Sequence, residues 1–216
     1  MLAEDDGNNP WTRVPRERTE EYFKLLATRR GLPVAKTRAA FIDTYIKEQV
    51  IVYVGETGSG KTTQIPQSVM YADLPMDGGM KIVCTQPRRL AAREVATRVA
   101  NELDVTLGEE VGYQFRNETV VGPRTRMIYT TDGRLVQESG SDPNLSKYSC
   151  IIIDEAHERS ETIDLLLGLI KPILQRRRDL KLIIISLKAH RRNPEGSADQ
   201  SGDGEGLFWQ TLDLRL

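Results

Sequence analysis

Gly55-Glu56-Thr57-Gly58-Ser59-Gly60-Lys61-Thr62 fits the pattern G-x-x-x-x-G-K-[ST]. Each residue type in it answers one chemical need, the neutralisation of several phosphate charges in little space. Glycines let the backbone curl tightly and aim its N–H groups inward. A helix starting behind the loop adds unpaired N–H groups and a partial positive end. Lys61 has the reach for the β- and γ-phosphates of a nucleoside triphosphate, and the Thr62 hydroxyl can rest on Mg²⁺. A glycine-rich turn could match the same spelling. The apolar, β-branched run Val50-Ile51-Val52-Tyr53-Val54 in front of it reads as a buried strand. Lys61 onward reads as a helix. Strand, loop, helix is the order this chemistry requires.

Outward from that stretch the chain alternates. Strand-like runs are Val50–Val54, Lys81–Thr85, Met127–Thr130, Cys150–Asp154 and Leu182–Ser186, with a short extra one at Val111–Phe115. Helix-like runs are Lys61–Asp73, Arg89–Leu103, Gly133–Ser139 and Thr162–Arg177, with Pro66 and Pro172 expected to kink or interrupt two of them. Continuous apolar strands alternating with helices imply an α/β domain over 49–186, a mostly parallel sheet covered on both faces. Ligands in such sheets sit at the carboxyl ends of the strands. Gly55 and Asp154 both follow a strand end, so they can share one crevice.

Cys150-Ile151-Ile152-Ile153 runs straight into Asp154-Glu155-Ala156-His157. An apolar strand ending in acids is a Walker B arrangement. Asp154 would support Mg²⁺ directly or through water, and Glu155 could orient a water and take its proton. A solvated acidic turn is the plainer reading, and pairing with the glycine loop argues against it. His157 stands without a Cys/His cluster, so zinc is not expected. Thr85-Gln86-Pro87-Arg88-Arg89 also ends a strand. Its arginines can grip a backbone phosphate, or simply be a solvated first turn. In Thr130-Thr131-Asp132-Gly133, Thr131 or Asp132 can cap a helix, or the hydroxyl and amides can meet phosphate.

The 216 residues suit one domain with extensions. Thirty Lys+Arg oppose 31 Asp+Glu, so no global basic field exists and any nucleic-acid contact must rest on local clusters. Cys84 and Cys150 lie in apolar runs and read as buried thiols. Residues 1–18 read as disordered. Residues 19–48 read as a helical extension, with helical spacing over 19–29 and 36–48. Residues 187–216 read as a divergent, disordered tail. In it Leu207-Phe208-Trp209 is an apolar island, a chance cluster or a docking peptide. Nothing resembles a signal peptide or a membrane span, and a soluble protein of cytosol or nucleus is expected.

Together these stretches resemble the DEAH-box RNA helicases of helicase superfamily 2. Gly55–Gln64 is similar to motif I, and Thr85–Ala92 to motif Ia, with Leu90 where valine is usual. Thr131–Leu135 is similar to motif Ib, with Arg134 where an apolar residue is usual. Asp154–His157, with Glu158-Arg159, is the family signature. Leu103–Tyr113, Tyr148–Cys150 and Leu32-Pro33-Val34 resemble the subgroup of pre-mRNA splicing and ribosome assembly.

The resemblance implies a RecA-like first motor domain using ATP and Mg²⁺. Gly55, Glu56, Thr57, Gly58, Ser59, Gly60, Lys61 and Thr62 would hold the nucleotide, with Arg98 against its adenine. Thr62, Asp154 and Glu155 would serve the metal, and Lys61, Asp154, Glu155 and His157 catalysis, His157 coupling nucleotide state to RNA. Arg88, Arg89 and Thr131 would touch the RNA backbone. It further implies a monomer in the nucleus, or alternatively the cytoplasm, with a protein activator of the spliceosome or pre-ribosome. The resemblance covers residues 9–186. Ser186 is followed by Leu187-Lys188-Ala189 where the family continues Ala-Thr, and no second motor domain appears. The expectation is a chain that does not unwind RNA by itself. The alternative is a non-catalytic nucleotide-, RNA- or partner-binding fragment.

Overall fold

The computed structural model describes residues 8–12, 17–73, 80–187 and 208–211. Two helices come first, α1 (Glu20–Arg30) and α2 (Pro33–Lys47). Thr19 caps α1 by accepting from the Tyr22 amide, and Pro33 stands in the first turn of α2, where its missing N–H costs nothing. The strands are β1 (Val50–Gly55), β2 (Lys81–Gln86), β3 (Val111–Gln114), β4 (Thr119–Val120), β5 (Met127–Thr131), β6 (Tyr148–Ile153), β7 (Lys181–Leu187) and β8 (Phe208–Thr211). The remaining helices are α3 (Lys61–Ala72), α4 (Arg89–Glu102), α5 (Asp132–Ser141) and α6 (Glu161–Arg176).

One sheet results, in the order β4-β3-β5-β2-β6-β7-β1-β8. The six strands from β3 to β1 run parallel, and β4 and β8 are antiparallel at the two edges. Side chains alternate between faces. Cys150 and Ile152 join a core formed with α2, α3 and α4, where Phe41, Ile65, Val69 and Val99 lie. Ile151 and Ile153 join a second core under α5 and α6, with Leu135, Ile163 and Ile170. The expected α/β architecture with both faces covered is therefore present.

Register fixes what the sheet presents. Gln86 pairs with Thr131 and Thr85 with Ile153, while Gly55 pairs with Leu187. The ends of β1, β2, β5, β6 and β7 thus form one rim, on which the glycine loop, the Arg88-Arg89 stretch, Thr131-Asp132 and the acids after Ile153 lie.

Two expectations are corrected. Pro66 and Pro172 interrupt nothing: α3 and α6 run through them. Within the stretch expected to be disordered, Asn9, Trp11 and Arg18 are buried. Asn9 donates to the Leu103 and Asp104 carbonyls at 3.1 and 2.7 Å, and Arg18 to Leu103 at 3.1 Å, closing the end of α4. Residues 1–7 and 13–16 lie outside the described residues, as do 188–207 and 212–216 of the tail. Phe208 and Trp209 of the apolar island pair with Val54 and Tyr53, extending the edge that β1 would otherwise leave open. Among the described residues no helix is long and apolar enough to cross a membrane.

Candidate nucleotide site

β1 delivers the chain at Gly55, and the turn beyond it is built on glycine. Gly58 and Gly60 have φ of +77° and +87°, the left-handed region that L side chains avoid. Gly60 is crowded as well. A Cβ there would lie 2.7 Å from Leu32 Cδ1 and 3.1 Å from Val34 Cγ1. The loop is braced from within by Ser59 Oγ donating to the Glu56 carbonyl at 2.8 Å. From outside, the Val34 amide donates to the Ser59 carbonyl at 3.2 Å.

Lys61 opens α3 and is buried, its Nζ donating to the Glu56 carbonyl at 3.2 Å, a neutral partner. Helix α3 has no side-chain cap and no acid in its first turn. A buried ammonium with no bonded carboxylate among the described residues, above an uncapped helix start, suits a ligand with several negative charges.

The acids approach from β6. Asp154 is fully buried, with Oδ2 accepting from Gln86 Nε2 at 2.6 Å and Oδ1 from the Glu155 amide at 2.8 Å. Burial raises its pKa above the usual carboxylate value, opposed by the Thr62 hydroxyl, the two amides and Lys61. Glu155 sits at φ +55°, ψ +31°, a strained conformation for a non-glycine residue. Its pKa is also raised, first by burial and then by Asp154, while Lys61 and His157 pull it down.

A cleft of about 380 Å³ is lined by Gly58, Gly60, Lys61, Thr62, Arg98 and Glu155 together with Thr57. Glu155 therefore shares one crevice with the loop, while Asp154 is not in its lining and lies buried beside Thr62 and Glu155. The Thr62 hydroxyl and two carboxylates make an all-oxygen donor set of the kind hard divalent cations take. Among the described residues no group of three or more His, Cys, Asp and Glu could hold a metal unaided.

The other predicted residues are placed as follows. Gly55 and Ser59 are buried behind the loop, and Glu56 is exposed and contributes its carbonyl. His157 lies on a 3₁₀ turn, Ala156–Glu158, with Nε2 3.3 Å from Glu155 Oε2, and does not line the cleft. Arg88 and Arg89 begin α4 on the open rim, and Arg88 lies 3.5 Å from Glu158. Arg89 borders a second hollow of about 460 Å³ with Arg93, Phe115 and Glu118. Thr131 holds the capping position of α5, yet its side chain makes no capping bond. Its hydroxyl is not used in the way helix starts usually use it.

Sequence reasoning missed two parts of the site. Gln86 lies in a quoted stretch but has no spelling that marks it as a carboxylate partner. Thr28, Arg29 and Leu32 also line the cleft, although they belong to the helical extension.

Residues 36–187 match the family model for DEAD/DEAH box helicase, which covers well over half of the chain and every residue of the rim from Gly55 to Leu187. The sheet order, the loop after β1 and the acids after β6 agree with that match. The chain thus belongs to the DEAD/DEAH box helicases of helicase superfamily 2 and carries their RecA-like, ATP-dependent motor domain.

Proposed function

We propose that this chain is the first motor domain of a DEAH-type RNA helicase acting in pre-mRNA splicing or ribosome assembly in the nucleus. The observation that carries the nucleotide half of this reading is the convergence of Lys61 and Glu155 on one cleft. Lys61 and the α3 amides neutralise the phosphates, and Gly55 to Gly60 shape the cradle. Thr62 and Asp154 hold Mg²⁺, directly or through water. When bound, the ion would supply charge neutralisation to the phosphates. Glu155 orients the attacking water and accepts its proton. Its upward-shifted pKa makes it a stronger base than an exposed glutamate, and Lys61 and His157 favour its ionised form. Arg98, half exposed on the cleft wall, faces the base.

Arg88, Arg89 and Thr131 grip RNA phosphates. The exposed arginines at the start of α4 and the unused Thr131 hydroxyl support this. Such contacts carry no base identity, so strandedness and shape are read instead. His157, beside Glu155 and one residue from the Arg88 partner Glu158, links the two sites. A protein activator is part of the proposal.

Mg²⁺–ATP titration and phosphate release test this on the 216-residue chain. Wild type is expected to bind and to release phosphate slowly. Glu155→Gln is expected to bind with similar affinity and release at least about 100-fold less. Binding by neither protein refutes the reading. A second reading, a non-catalytic nucleotide- and RNA-binding module, is favoured by Leu187-Lys188, where the family carries Ala-Thr. Tight binding with equal, background phosphate release from both proteins selects it.

A further inference from the structure

We infer that Glu102 is a positioning residue of the nucleotide cleft, and that helix α1, through Arg29, helps to hold the base. The inference rests on the reading of the cleft as a nucleotide site and concerns how Arg98 is aimed. Glu102 closes α4 and is 2 % exposed. Its two oxygens have different partners. Oε2 accepts from Gln64 and Gln67 of α3 at 2.8 and 2.7 Å. Oε1 accepts from Arg98 Nε at 2.6 Å.

Arg29, 3 % exposed, lies behind this carboxylate. Its Nε is 3.6 Å from Glu102 Oε2 and donates to Gln64 Oε1 at 2.9 Å, and one terminal nitrogen donates to the Glu102 carbonyl at 3.0 Å. Three helices therefore meet on one buried anion, and Gln64 lies in the first turn behind Lys61 and Thr62.

A carboxylate needing only burial would be satisfied by Arg29 and the two glutamines. Yet one whole oxygen serves Arg98, whose side chain is about half exposed and stands in the cleft wall. An i,i+4 ion pair between exposed residues is worth little, because both ends swing freely. Here Glu102 cannot swing. Holding Arg98 by Nε fixes the guanidinium plane and leaves its flat face and terminal nitrogens to the cleft. A fixed guanidinium is suited to stack on an aromatic plane such as a nucleobase. Helix α1, which the family match does not reach, thereby acts on base recognition through Arg29, Glu102 and Arg98 in turn.

Calorimetric titration of the full chain with Mg²⁺–ATP and with inorganic tripolyphosphate separates base contacts from phosphate contacts. Glu102→Gln is expected to weaken ATP about tenfold and to leave tripolyphosphate within about twofold. Arg98→Ala is expected to give the same pattern, and the double variant to bind ATP no more weakly than Arg98→Ala alone. Unchanged ATP affinity in Glu102→Gln, equal losses for both ligands, or additive losses in the double variant overturn the inference. Should Glu102→Gln lose the wild-type circular dichroism spectrum, Arg29→Lys takes its place. It keeps the charge without the fork, and the same selective loss of ATP is expected, unchanged binding again being the overturning result. Wild type that binds neither ligand refutes the nucleotide-site reading itself, whereas a wild type that binds both leaves that reading standing whatever Glu102 does.

Discussion

Gln86 donates a hydrogen bond of 2.6 Å to Asp154, joining the last residue of β2 to the first residue after β6. The strands are neighbours, and the Asp154 amide donates back to the Thr85 carbonyl at 3.3 Å. A carboxylate with no exposure is thus held in one orientation before any ligand arrives. Removing that amide has a cost that can be measured. Gln86→Leu leaves a buried acceptor short of one partner and is expected to lower unfolding stability by about 1–3 kcal/mol. Urea titration checks it, and an unchanged midpoint would show the bond to be without weight.

Lys61 behaves differently. Among the described residues it hydrogen-bonds a loop carbonyl and no carboxylate, so the fold leans little on that contact. Lys61→Ala is expected to keep the wild-type melting temperature within a few degrees while Mg²⁺–ATP affinity falls at least about tenfold. A large drop in melting temperature would instead make Lys61 a structural residue.

The two loop glycines should separate strain from crowding. At Gly58 a Cβ meets nothing within 4 Å, so Gly58→Ala faces only the positive φ, a cost of about 1–2 kcal/mol. Gly60→Ala faces the same conformational penalty plus Leu32 at 2.7 Å. It is expected to be the more destabilising of the two, and Leu32→Ala added to it should recover part of the difference. Equal losses from the two glycine variants would remove the packing argument.

Asp154 gives a pH dependence of defined sign. Burial raises its pKa in the folded protein, so between the ordinary carboxylate value of about 3.9 and the raised one the folded state binds more protons than the unfolded state. Stability from this group therefore falls as pH rises through that window. Relative to Asp154→Asn, wild type without Mg²⁺ is expected to lose stability as pH rises above the ordinary carboxylate value. Chemical denaturation of both proteins across that range checks the slope, and parallel curves would contradict it.

Much of this architecture is written locally. Val50–Val54, Lys81–Thr85 and Cys150–Ile153 are apolar, β-branched and flanked by turn or helix signals, so strands at those places need no knowledge of their neighbours. The Gly58 and Gly60 conformations are likewise carried by residue type alone. What stayed hidden depends on partners far along the chain. Arg29 and Arg30 look alike in sequence, two basic residues in the last turn of a helix. Only the first is buried, because Glu102 lies 73 residues away and no period records that distance. Asn9 and Arg18 escaped for the same reason. Polar composition suggested an unstructured segment, but their partners are the carbonyls at the end of α4. Gln86 shows the same blindness at the site itself, since an amide at a strand end announces nothing until the neighbouring strand brings a carboxylate alongside.

The packing of α1 against the cleft bears on where this domain can be cut. The family match begins at residue 36, which invites a shortened protein starting there. Such a trimmed version would lack the Arg29 guanidinium and the Leu32 side chain that presses on Gly60. Glu102 would be left in an opened seam with two glutamines and Arg98. A shortened version of this protein therefore keeps α1 and starts at or before Asn9, which closes the end of α4.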